Sequence, residues 1–154
     1  MSEEIYITTP DLEIVNIRDV HFNRELVFRA WTEPEHLKNW WGPNGFTNTF
    51  HEFDLRPGGK WTFTMHGPDK GHYSNEAEFL KIVPPEFIAW TRHSKPLFQI
   101  TARFEEISKD VTRVTFKMLF SSAEECNKLK SYGPEKNEEN LDRLEEELKT
   151  MATN

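Results

Sequence analysis

The chain has 154 residues and a formal net charge of −7, with a single cysteine, Cys126. This length fits one domain that buries roughly two thirds of its unfolded surface. The acidic balance argues against a nucleic-acid partner, which needs clustered positive charge. One cysteine excludes an internal disulfide and suits a reducing compartment. With no apolar leader and no apolar run of 18 residues, neither secretion nor membrane insertion is expected, so the cytoplasm is the default location.

Residues 1–10 are polar and expected to be loosely held. Alternation from Leu12 to Val20 predicts a first strand, with Leu12, Ile14 and Asn16 on one side. Asn23 is placed to cap a helix from Arg24 to Trp31, with Phe22 and Val27 as its staple. Thr32, with Pro34 and Glu35 after it, marks a second, short helix that ends near Trp40 at Gly42-Pro43. A strand from Thr47 to Asp54 leads into Arg56-Pro57-Gly58-Gly59, a type II turn in which Pro sets φ and Gly accepts the positive φ. Trp61, Phe63 and Met65 then share one face of a strand. After a turn at Asp69-Lys70-Gly71, further strands are expected at Tyr73 to Val83, Glu86 to His93, Phe98 to Ile107 and Val111 to Phe120. Ser121 and Ser122 each precede a glutamate by three residues and signal another helix, which Gly133-Pro134 interrupts. The last helix, about Glu135 to Met151, carries Leu141, Leu144, Leu148 and Met151 as one apolar stripe. Its acidic block, Glu135 to Glu147, reads as a solvated face.

Hydrophobic residues make up 36% of the chain and aromatics 13%, so burial rests on a few large side chains. The pattern predicts an α+β fold in which a curved antiparallel sheet wraps the terminal helix, with an internal cavity between them.

Several segments in this order resemble the helix-grip (START-like, SRPBCC) superfamily, and within it the group named after the activator of the ninety-kilodalton heat-shock chaperone ATPase. The segments are Val27 to Thr32 with Pro34 to Leu37, Trp40 to Pro43, Asp54 to Trp61, Gly67 to Asp69, Ile82 to Glu86 and Asn140 to Leu144. The resemblance covers residues 12 to 150 and implies a fold and a pocket; it does not imply one reaction. Where the family often has a Gly-Trp pair before the last helix, this chain reads Gly133-Pro134-Glu135-Lys136-Asn137. A less aromatic pocket rim is expected there.

No nucleophile elbow, phosphate loop or dinucleotide fingerprint is present, so no catalytic residue and no cofactor is assigned. The six histidines offer no metal set: His51 lacks a partner at helical spacing, and His66 and His72 flank one hairpin as two ligands without a third. Glu76 and Glu78 share a strand face whose direction the pattern leaves open, because Leu80 and Ile82 have the same parity. The candidate ligand-binding residues are Trp61, Phe63, Met65, Trp90, Phe104, Leu141 and Leu144 as apolar walls, Trp40 over the entrance, and His66 and Arg92 as polar contacts. The expected partner is an apolar or amphipathic small molecule. A chaperone or other protein docked on the acidic terminal helix is the first alternative, and a cyclase- or hydrolase-like enzyme acting in the cavity the second.

Overall fold

The computed structural model describes residues 10–153; the expectation for the first nine residues lies outside them. After a 3-10 turn at Pro10–Leu12 come β1 (Glu13–Val20), α1 (Arg24–Thr32), α2 (Pro34–Trp40), β2 (Thr47–Phe53), β3 (Lys60–His66), β4 (His72–Val83), β5 (Phe87–Arg92), β6 (Gln99–Ser108), β7 (Val111–Leu119), α3 (Ala123–Lys130) and α4 (Gly133–Thr153). The seven strands form one antiparallel sheet in the order β1-β7-β6-β5-β4-β3-β2. Chain neighbours pair as hairpins, and α1 and α2 carry the chain from β1 at one edge to β2 at the other. This is the α+β helix-grip arrangement that the segment order predicts. No helix among the described residues is long and apolar enough to cross a membrane.

Local signals explain most element ends. The Asn23 side chain accepts from the Leu26 amide at 2.8 Å, and Ser122 accepts from Glu125 at 3.1 Å. Gly58 takes φ +85°, and Gly59 N donates to Arg56 O at 2.8 Å, closing the turn before β3. A Cβ on Gly59 would lie 1.9 Å from the Asp54 carbonyl oxygen, so the second glycine answers close backbone approach. Thr32 is not the cap of α2: it closes α1, with its hydroxyl donating to Phe28 O at 2.8 Å, and Glu33 takes the cap position without a side-chain bond. Gly133 and Pro134 form the first turn of α4, where a missing proline N–H costs nothing.

Two bulges set which side chains face inward. The β4–β5 register slips between Phe79 and Lys81. Asn75, Ala77 and Phe79 therefore face the core before the slip, and Ile82 does so after it. Glu76 and Glu78 lie on the outer face, where Glu78 meets His93 at 3.0 Å. In β2 a slip between Phe50 and Glu52 lets both Phe50 and Phe53 pack against Trp61.

The backbone neighbours of α4 are β1, α1, α2 and, less extensively, α3. Its Leu141, Leu144 and Leu148 are fully buried. Arg18 on β1 bonds Glu138 and Asp142 at 2.6 Å and Glu145 at 2.9 Å. Burial pulls the Arg18 pKa down, but hydrogen bonds to Asp142, Glu138 and Glu145 together raise it. Beside it, Asn16 donates to Glu138 Oε2 at 2.7 Å and accepts from Asn137 at 3.2 Å. The terminal helix is thus latched to the β1 edge, while α1 fills the middle by packing on β6 and β7.

Candidate functional site

All five tryptophans converge inside the sheet. Trp31 comes from α1, Trp40 from the end of α2, Trp41 from the residue after it, Trp61 from β3 and Trp90 from β5. Trp41 is the hub, with ring centroids 5.5 Å from Trp90, 5.7 Å from Trp40, 5.9 Å from Trp61 and 6.1 Å from Trp31. Trp31 also meets Trp40 at 4.8 Å, and Phe104 and Phe116 at 5.7 Å. Tilted and edge-on rings at such distances gain beyond simple burial.

This cluster occupies the volume in which a cavity against α4 is expected. Trp40 does not cover an entrance: it is 1% exposed, and its indole N–H donates to Ala30 O at 3.0 Å. The reason is helical spacing, since Leu37 and Trp40 form the buried stripe of α2. Phe104, Leu141 and Leu144 are likewise sealed in the core.

The cluster reaches a cleft between β3, β4, β5 and β6. A cavity of about 40 Å3 is lined there by Trp41, Phe63, Asn75, Glu76, Ala77, Trp90, Arg92, Phe98 and Ile100. Three of the candidate residues, Phe63, Trp90 and Arg92, meet here, and Trp61 packs behind them 4.4 Å from Phe63 and 5.2 Å from Trp90. Such a volume holds a few water molecules or a small polar head. On the far side of Phe98 lies a groove of about 310 Å3 formed with Thr91, Leu97, Gln99, Leu119, Phe120 and Ser121. Phe98 lines both spaces.

Met65 and His66 sit at the other end of β3 and do not reach the cleft. Met65 packs at the edge of the core, and a Cβ on Gly42 would lie 2.7 Å from its methyl group. His66 faces outward: its Nδ1 lies 2.7 Å from Nδ1 of His72, and its Nε2 lies 2.8 Å from the Thr49 hydroxyl. Trp41, which stands beside Trp40 at the expected lid, lines the cleft, whereas Asn75, Ala77, Phe98 and Ile100 lay outside the predicted set. Trp41 was signalled by the end of the helix at Gly42-Pro43, which puts the residue after Trp40 in extended backbone facing the sheet.

Two arginines give the site its electrostatics. Arg92 leaves β5 beneath the loop 93–98. Its Nε donates to Ser94 O at 2.9 Å and Pro96 O at 3.0 Å, its Nη2 to Lys95 O at 3.1 Å, and its Nη1 to Asn75 Oδ1. Its guanidinium carbon lies 5.5 Å from the Phe98 ring centre. Arg143, on α4, donates to the carbonyls of Gly42 (2.8 Å), Pro43 (2.9 Å), Asn39 (3.0 Å), Phe46 (2.8 Å) and, at 3.4 Å, Trp41. Asn140 Oδ1 adds a bond from Gly42 N at 3.2 Å, and Glu139 one from Asn44 N at 3.0 Å. Helix α4 thereby straps down the loop that carries Trp41. Neither arginine has a carboxylate partner among the described residues, and burial pulls both pKa values below the ordinary arginine value.

The family profile described as Activator of Hsp90 ATPase homolog 1-like protein matches residues 21–149. The chain belongs to this family. Solved structures with the same fold include a Nitrosomonas europaea protein, 24% identical, covering 96% of this chain and 100% of its own, with a TM-score of 0.86. An Arthrobacter aurescens protein is 24% identical over 91% of this chain and 87% of its own, with a TM-score of 0.83. The Silicibacter pomeroyi protein titled AHSA1 is 17% identical over 90% and 99%, with a TM-score of 0.74. At these identities the likeness shows the fold alone. No curated protein matches the chain.

In this member of the Activator of Hsp90 ATPase homolog 1-like family, the polar side chains lining the cleft are the Asn75 amide, the Arg92 guanidinium and, at the rim, the Glu76 carboxylate. Among the described residues one group has ligand atoms close enough to share a cation: Glu33, Glu35 and His36, within 4.8 Å of one another. Glu33 already bonds Arg29 at 3.0 Å, and His36 bonds Glu147 at 2.9 Å, so two of its three members are engaged by other side chains.

Proposed function

We propose that this helix-grip domain binds an amphipathic small molecule, with the polar end in the Arg92 cleft and the apolar part in the groove across Phe98. The observation that carries this reading is that the aromatic cluster meets a polar pair, Asn75 and Arg92, in a cleft that shares Phe98 with a groove of about 310 Å3. Apolar walls with a few convergent polar groups are the usual composition of a ligand site. Covering roughly 200 Å2 of apolar ligand surface yields on the order of 5 kcal/mol before ordering costs, so micromolar affinity is expected. The free and buried Cys126 suits a reducing compartment such as the cytoplasm.

Docking of a chaperone on the acidic helix is the alternative that the family's description suggests. It has less support here, because Glu138, Asp142 and Glu145 are engaged by Arg18, and Glu139 by the Asn44 amide. An enzyme acting in the cleft has less support, because the carboxylate on its rim, Glu76, belongs to the outward-facing parity of β4.

Titration with the neutral dye N-phenyl-1-naphthylamine tests the reading. Wild-type protein should enhance its fluorescence with micromolar affinity. Thr91→Trp, which fills the groove from a half-buried strand position, should weaken uptake at least tenfold with an unchanged melting temperature. No enhancement in wild type, or equal uptake by a folded Thr91→Trp, contradicts it.

A further inference from the structure

We infer that the polar end of the guest is a carboxylate, held by the paired Nη groups of Arg92. This rests on the amphipath reading above and names its chemical class. The contacts of Arg92 with loop 93–98 and with Asn75 use one N–H each on Nε, Nη1 and Nη2. A guanidinium carries five N–H donors, so one remains on Nη1 and one on Nη2. Two adjacent donors on a planar cation match the two oxygens of a carboxylate.

Comparison with Arg143 sharpens the point. Both arginines are partly buried without a carboxylate, but Arg143 spends both Nη groups on five carbonyls, one at the end of α2 and four in the loop after it. Its role is explained by that loop. Arg92 is fixed by its Nε side and by Asn75, whose own amide is oriented by a bond from Nδ2 to Tyr73 O at 3.0 Å. Asn75 is 5% exposed, so the guanidinium is held by a rigid, buried partner while part of its donor set stays uncommitted. A buried charge held by dipoles alone keeps much of its desolvation cost, and an anionic guest would offset it. The cleft has room for a group of carboxylate size, and Glu76, the acid on its rim, projects from the outer face of β4.

Octanoate and octanamide have the same chain and differ in headgroup charge, so their displacement of N-phenyl-1-naphthylamine separates the two layers of the claim. In wild type, octanoate should compete at least tenfold more tightly than octanamide. In Arg92→Met that preference should fall to less than twofold. Equal competition in wild type, or a preference that survives in a folded Arg92→Met, overturns the carboxylate assignment while the amphipath reading stands. Octyl phosphate binding tenfold more tightly than octanoate also overturns it, in favour of a tetrahedral head. Failure of both octanoate and octanamide to compete overturns both. The wild-type comparison decides the matter even where the Met variant does not fold.

Discussion

Trp31→Ala should destabilise the protein by about 4 kcal/mol, the middle of the range for removing a large buried aromatic. Trp31 is wholly buried and touches Trp40, Trp41, Trp90, Phe104 and Phe116. It joins α1 to β5, β6 and β7, so its loss opens a void among rings that cannot collapse independently. In a chain of this size the melting temperature should fall by roughly 8–16 °C. Trp31→Phe should cost far less than Trp31→Ala. The indole N–H of Trp31 has no hydrogen-bond partner among the described residues, so the phenyl ring removes an unsatisfied donor along with some volume. Urea unfolding of both variants checks this. A loss under 1.5 kcal/mol for the alanine variant would mean that the cluster is not the packed centre described.

Arg143→Met should cost about 3 kcal/mol and act on one loop. The substitution keeps most of the stem but strips five carbonyls of their shared donor, and a lost charged hydrogen-bond network is among the expensive changes. Its effect should be visible in where the molecule loosens. Amide exchange should accelerate across residues 42–46, which include the Asn44 and Phe46 amides, and much less across β6 and β7. Dye uptake should rise, because Trp41 loses the strap that holds it against Trp61 and Trp90. Arg143→Lys keeps the charge but has neither the reach nor the fork geometry, and should recover less than half of the loss. Uniform loosening would show that Arg143 supports the fold at large.

Strand positions were legible because half-buried strands alternate: Phe98 to Phe104 and Val114 to Met118 could be oriented by parity alone. The same rule failed at Glu76 and Glu78, because the bulge at Phe79/Lys81 reverses parity within one strand, and no residue type announces it. The convergence of tryptophans was visible in composition and order, but not which ring would face the cleft. That depended on α2 ending at Trp40, so that Trp40 follows Leu37 into the core and Trp41 turns to the sheet. Arg92 was found from its place near a strand end beside Trp90. Its partner Asn75 was missed because a lone asparagine among Ser74 and Glu76 reads as surface until the register sets it opposite Phe63. The ring packing under the sheet was not legible, because it depends on Trp31 of α1, Trp40 of α2 and Trp41 after it meeting one another edge-on.

The most direct test of binding at the Arg92 cleft is a titration of protein labelled with 15N at the tryptophan indoles, followed through their five N–H signals as octanoate is added. Signals of Trp41 and Trp90, which line the cleft, should shift progressively and saturate in the micromolar range, while that of Trp40, bonded to Ala30, stays in place. Five unmoved signals at saturating octanoate, or shifts confined to Trp40, would contradict the assignment.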